Sequence, residues 1–279
     1  MIRDWKYLAL YLVITFTISW GIILGYVVNQ PFMVATLGEF TQTSLAGILV
    51  LYMPSIAGLL TYYFANKESA LRGVLAKLVP NKKDLIWFPI LFLIMVFFAF
   101  TNHFVSLLFG VPVPEITLSY AEMGRKILTL FVEETGLIGG VFGWTAFLLP
   151  FLQTKFQSNI KGAVLTGLIF GIWVMPAYLL SPIAMNSSYL LYVLQLMTFF
   201  TFISFIYNKT NGCLAFYLFA FWLAAAGSHI QLYYFNTQVQ FIQIVFFTVG
   251  TLILKVLFNK NKTHVDMQDF RVIANLVEN

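Results

Sequence analysis

The sequence has a single cysteine, Cys213, so it can form neither an internal disulfide nor a cysteine-based metal cluster. It is poor in charge: 10% of its 279 residues are Asp, Glu, Lys or Arg, against about 25% in a soluble domain. That deficit excludes a globule with a fully wetted surface. No linker or low-complexity tract is long enough to separate two domains. The bases form no groove-tracking patch either. The net charge of +5 therefore speaks for contact with anionic lipid and against nucleic acid as a partner.

What the chain does have is hydrocarbon, in long unbroken runs: 60% of its residues are hydrophobic and the mean hydropathy is +0.85. A run of roughly 18 or more apolar residues can cross the ~30 Å hydrocarbon core of a bilayer. Eight such spans are expected, near 7–28, 44–66, 85–109, 127–152, 163–183, 189–207, 213–233 and 239–258. They lack the alternation of barrel strands, and lipid obliges a backbone to satisfy its own hydrogen bonds, so they are expected to be helices. The first run is longer than a signal-peptide core and lacks a small-residue cleavage site, so it is expected to be retained. The expected fold is all-α and polytopic: one domain over 1–262 and a short cytoplasmic tail, 263–279, with modest apolar periodicity.

Orientation follows from the basic residues. With eight spans, one side receives Arg3, Lys6, Lys67, Arg72, Lys77, Lys82, Lys83, Lys155, Lys161, Lys209, Lys255, Lys260, Lys262 and Arg271. The other side receives only Arg125 and Lys126. The positive-inside rule then puts both termini in the cytoplasm. The segment from Lys67 to Asp84, with Leu71, Val74, Leu75 and Leu78 among its bases, is expected to lie in the interface as an amphipathic stretch.

Ionisable groups inside spans are costly and mark candidate sites. Here they are His103, Glu133, Glu134 and His229. Trp144, Trp173 and Trp222 also sit in spans and are expected to pack. Gly136, Gly139, Gly140 and Gly143 place two small-xxx-small spacings on one helix, at 136/140 and 139/143. Such spacings let helices approach closely, within the bundle or between chains.

Three stretches carry a resemblance. Phe142-Gly143-Trp144-Thr145-Ala146-Phe147-Leu148-Leu149-Pro150-Phe151-Leu152-Gln153-Thr154-Lys155-Phe156 resembles the first motif of the CPBP membrane proteins. This is also called the Abi or CAAX-protease family, related to the type II prenyl-protein endopeptidases; its pattern is roughly E-E-x-G-W-R-G-x-L-x-P-x-L-Q-x-x-F. Phe170-Gly171-Ile172-Trp173-Val174-Met175-Pro176 resembles the second motif, F-G-x-W-H-x-P, and Lys209-Thr210-Asn211-Gly212-Cys213-Leu214 resembles the lead-in to the third. Met53-Pro54-Ser55-Ile56-Ala57-Gly58 is similar to the family's early region. The likeness runs from about residue 45 to 230.

The resemblance implies an intramembrane metal-dependent endopeptidase. In that family two adjacent glutamates and two histidines surround a water, and an arginine and an asparagine support them. With Pro150 and Leu152-Gln153 setting the register, the glutamate pair falls on Gly140 and Val141 and the arginine on Thr145. The second motif's histidine falls on Val174, and the third motif's histidine and asparagine fall near Phe221 and Ala225. None of these can ligate a metal or move a proton, a weak hydroxyl at Thr145 aside. Gly140 leaves room for a small cavity where the carboxylate would stand.

A second register, starting at Glu133-Glu134-Thr135-Gly136, matches the first motif two helical turns upstream, but it still has Ile138 for the arginine and Val174 for a histidine. His229 shares a helix face with Phe221 and Ala225, at i, i+4 and i+8.

The expected function is therefore that of a non-catalytic relative in a bacterial plasma membrane, with no cofactor. Such a protein acts as a scaffold or regulator of a partner envelope protein, or as a bacteriocin-immunity factor. The alternative is an endopeptidase with a relocated zinc site made by Glu133, Glu134, His103 and His229. A transporter component would show paired, broken half-helices; no such pair stands out.

Overall fold

The computed structural model describes the chain path over residues 2–41, 44–133 and 139–259, with the side chains of 2–4, 66–70, 132–133, 182–183 and 259 outside the description. Every regular element in it is a helix. In chain order these are α1 (Ile2–Val28), α2 (Gln30–Leu37), α3 (Leu45–Ala76), α4 (Trp87–Leu108) and α5 (Tyr120–Glu133). A π-helical segment (Val141–Leu148) then runs directly into α6 (Leu149–Phe156). It is followed by α7 (Asn159–Leu180), α8 (Tyr189–Lys209), α9 (Leu214–His229) and α10 (Thr237–Asn259).

Among the described residues, six helices are long and apolar enough to cross a membrane: α1, α3, α4, α7, α8 and α10. This is a multi-helix protein built for a bilayer. Serines start three of these helices by accepting a backbone N–H of the first turn: Ser44 from Gly47, Ser158 from Lys161, and Ser188 from Leu191. The seventh expected span is a shorter apolar helix, α9, of 16 residues or about 24 Å. It stops early because Gln231 turns left-handed at φ 64° and the Leu232 N–H folds back to the Gly227 carbonyl.

The fourth expected span is not one straight α-helix. Its start belongs to amphipathic α5, capped by Ser119 and Glu122 acting on each other's backbone N–H groups. Its later part is π-helical. The first part of the expected interfacial stretch, as far as Ala76, continues α3, whose 32 residues extend about 48 Å. Leu71, Val74 and Leu78 pack on the core, and only Leu75 of the four faces outward. The 263–279 tail lies outside the described residues.

The ends of the elements sort into two poles. At one pole Lys155 sits 5.8 Å from the Trp5 ring, and the Trp87 and Phe258 rings lie 6.0 Å apart. There too the Leu214 N–H donates to the Lys77 carbonyl at 2.8 Å. Lys6, Lys77, Lys82, Lys83, Lys155, Lys161, Lys209 and Lys255 belong to the ends gathered at this pole. At the other pole His103 meets Leu232, Ser188 meets Gln240, Thr117 meets Gln231, and Tyr178 meets Ser187. Arg125 and Lys126 are on α5, which starts at that second pole.

Glycine and proline arrange the middle. A Cβ at Gly143 would overlap the Pro54 carbonyl, and one at Gly139 would come within 2.5 Å of the Leu51 oxygen. The 139/143 spacing is thus spent within the chain, bringing the π segment onto α3. At Gly167 a Cβ would fall 2.5 Å from Met197 Cα, and here α7 and α8 form the most extensive pairing in the bundle.

Each proline inside a helix removes an N–H and frees a carbonyl about one turn earlier. For two of them the structure supplies that carbonyl with a donor from another element. For Pro54, the Ser19 hydroxyl on α1 donates to Val50 at 3.2 Å. For Pro150, the Tyr62 hydroxyl on α3 donates to Ala146 at 2.5 Å. Near Pro176 the ties fall on either side of the freed Ile172 carbonyl: the Trp20 indole donates to the Trp173 carbonyl at 2.9 Å and the Tyr189 hydroxyl to the Gly171 carbonyl at 3.0 Å. In lipid no water can take a bare carbonyl, so these side chains serve as the lateral ties of the bundle. Each contributes about 0.6–1.7 kcal/mol by the scale of membrane side-chain hydrogen bonds.

Candidate functional site

The positions that the family likeness assigns to a hydrolytic centre surround the middle of the bundle, where α1, the π segment, α7, α8 and α9 meet. Aromatic rings fill it. Trp144 is fully buried and meets Tyr11 at 5.8 Å, Phe170 at 5.1 Å and Trp173 at 5.4 Å between ring centroids. Tyr217 meets Phe200 at 5.8 Å and Phe221 at 5.9 Å. Gly140 does not leave the space expected of it. A Cβ there would touch Trp144 Cδ1 at 2.7 Å, because the indole folds back over the glycine. Val141 and Thr145 are fully buried, and Val174 and Phe221 pack partly buried against the same core. Ala225 lies further along α9, its carbonyl accepting from the Ser228 hydroxyl at 3.2 Å.

The wide turn of the π segment explains the crowding. In a π-helix each bond closes one residue later than in an α-helix, and the Leu149 N–H accordingly reaches the Trp144 carbonyl. That register rotates Trp144 inward while Gly139 and Gly143 stay on α3.

The centre also has a polar lining. Tyr11, Thr15 and Ser19, at i, i+4 and i+8 on α1, are all fully buried. Tyr11 faces Thr15 and the more distant Tyr217, and Thr145 faces Tyr217. The hydroxyls of Tyr11, Thr15 and Thr145 and the indole N–H groups of Trp144 and Trp173 make no well-formed hydrogen bond to protein. These neutral phenols, hydroxyls and indoles can hold a polar group, but none is a base able to take a proton from water near neutral pH.

Sequence reasoning missed Tyr11, Thr15 and Tyr217. The signal was present for α1: three polar side chains at helical spacing in an otherwise apolar span mark a buried face.

The relocated set is only half visible. His103 is on α4 near the second pole, and its Nδ1–H donates to the Leu232 carbonyl at 2.7 Å. That bond requires the tautomer protonated on Nδ1 and leaves the Nε2 lone pair available. His229 is the last residue of α9, at the same pole and partly buried. The Glu133 side chain and all of Glu134 lie outside the described residues. Among the described residues no three His, Cys, Asp or Glu side chains gather closely enough to hold an ion.

Of the three tryptophans expected to pack, Trp144 and Trp173 do so in the core. Trp222 ties α9 to α5 through a 2.7 Å hydrogen bond to the Ile127 carbonyl and an edge contact with Phe131. No protein-family model matches this chain, and no curated protein matches it.

Proposed function

We propose that this protein is a CPBP-type membrane bundle that has given up hydrolysis and works by binding. Its eight crossings comprise the six long helices, α9, and the path from α5 through the π segment to α6. Both termini lie on the cytoplasmic side of a bacterial plasma membrane. Its role is that of a scaffold or regulator for a partner envelope protein, or of an immunity factor against a bacteriocin. The observation carrying this reading is the central crowding: Trp144 lies over Gly140 where the motif register would put a carboxylate. Hydrolysis needs a positioned base and room for a water beside the scissile carbonyl. The orientation is supported by the lysines gathered at one pole, the arrangement that the positive-inside rule associates with the cytoplasm.

The test is mass spectrometry of what co-purifies in mild detergent, run beside a cleavage assay on membrane-embedded peptides. A stoichiometric membrane-protein partner and intact peptides are expected. Cleavage products made by the pure protein would sink the proposal.

A second reading has one specific observation behind it, the available Nε2 of His103 at the pole that also holds His229. Under it, Glu133, Glu134, His103 and His229 bind zinc and support a CAAX-type endopeptidase. It requires stoichiometric zinc in the purified protein, lost in Glu134→Ala and in His229→Ala. Protein that binds no zinc, or keeps it in both variants, removes this alternative.

A further inference from the structure

Away from the centre, α4 and α10 flank an open groove of about 1080 Å³. Its walls are apolar, with Phe97 on α4 and Phe241, Val245 and Val249 on α10, all exposed on the outside of the bundle. On α10 the lining recurs at every fourth residue through Gly250 and Leu254, and the next residue in that row is Phe258. Phe258 stands at the basic pole, with the Lys209 ammonium 5.7 Å from its ring centroid and the Trp87 ring at 6.0 Å. Lys255 is exposed one residue beyond Leu254. The groove therefore runs from Thr237 and Gln238 near the second pole to Leu254, one helical turn short of Phe258 with its neighbouring Lys209 ammonium and Trp87 ring.

We propose that this groove seats the acyl chains of an anionic phospholipid from the leaflet at the basic pole, its phosphate held by Lys209 and Lys255. The inference rests on the membrane embedding of the bundle and not on the loss of hydrolysis, so the two stand or fall separately. Charge selects the occupant. A phosphate is attracted to ammonium groups at the end of a low-dielectric trough, and a basic residue at the membrane surface contributes about a five-fold preference for anionic lipid. Shape selects against a partner helix. Helices associate in lipid through rows of small residues, whereas this groove offers Gly250 amid phenylalanine, valine and isoleucine. Flexible acyl chains conform to such walls.

Native mass spectrometry of the full-length protein, delipidated in detergent and titrated with phosphatidylglycerol or phosphatidylcholine of identical chains, tests this. Retention of phosphatidylglycerol should exceed that of phosphatidylcholine by about five-fold per lysine. Lys209→Gln with Lys255→Gln should bring the two lipids to parity, and the Lys→Arg pair should restore the preference. Val249→Trp, on the exposed wall and harmless to the core, should lower retention of both lipids. Equal retention by the unaltered protein would refute charge selection. A preference surviving both Lys→Gln changes, or retention indifferent to Val249→Trp, would refute the location. A second polypeptide photocrosslinked at position 249 in membranes would replace the lipid by a partner helix.

Discussion

Two parts of this bundle meet the same solvent with opposite strategies. α3, the π segment with α6, and α7 each contain a proline, lie against glycines, and take side-chain hydrogen bonds on their backbone carbonyls from neighbouring helices. α4 and α10 meet through phenylalanine ring contacts, among them Phe97 tilted on Phe246 and Phe98 edge-on to Phe246 and stacked on Phe247, and leave a groove beside them. The first part is specified by backbone approach and directional bonds, so it tolerates little change. The second is specified by bulk alone, so it can yield. A membrane helix gains nothing from hydrophobicity against another helix, because lipid is equally apolar, and directional contacts decide where the structure is rigid.

Substitutions should expose this contrast, with Trp144 having the largest effect. Trp144→Ala empties the middle of the rigid part and should cost about 3–5 kcal/mol, read as a drop in unfolding midpoint in detergent. A loss no larger than that of an exposed groove residue would erase the distinction. Gly143→Val drives a side chain into the Pro54 carbonyl and should cost about 3 kcal/mol, whereas Val249→Leu in the groove should change the midpoint little. Tyr62→Phe comes next, at about 1–2 kcal/mol, because it strands the Ala146 carbonyl. Adding Pro150→Ala restores an N–H near that carbonyl and should recover much of the loss; additive costs would contradict the tie proposed here.

The smallest effect belongs to α5. The Ser119 hydroxyl, then its backbone N–H, hold the Glu122 carboxyl below its usual range. A depressed value means that this contribution is complete above the ordinary glutamate range and fades as pH falls through the lowered value. The protection of amides near residues 119–123, measured against the intrinsic exchange rate at each pH, should therefore fall in acid. Glu122→Gln should remove that pH dependence and leave the α3 contacts unmoved.

Much of the fold could be read in the chain itself. The spans that became α1, α3, α4, α7, α8 and α10 are long runs of hydrocarbon, and hydropathy finds such runs regardless of what they pack against. The region from 127 to 152 could not be read this way. Its winding depends on Gly139 and Gly143 reaching α3, a contact between residues roughly ninety apart in sequence. The ties to Val50, Ala146 and Trp173 were hidden for the same reason, since a serine, a tyrosine and a tryptophan in apolar spans carry no sign of which carbonyl they will meet. The motif register led to the right neighbourhood, around Trp144, Thr145 and Tyr217. It could not reveal that the indole would turn back over Gly140, which is a matter of rotamer and π geometry.

The lateral ties also have a direction in time. Ser19 is synthesised before Val50, Tyr62 before Ala146, and Trp20 before Trp173. As these proline-containing helices leave the ribosome, Ser19, Tyr62 and Trp20 are already in the membrane; only the Tyr189 tie to Gly171 comes from a later segment. A nascent chain begun after residue 28 should therefore insert α3 and α7 poorly, which glycosylation mapping of the truncated protein can measure; normal insertion would mean that the order of synthesis is immaterial. Biogenesis, on this view, is a relay in which each arriving segment is received by an earlier one.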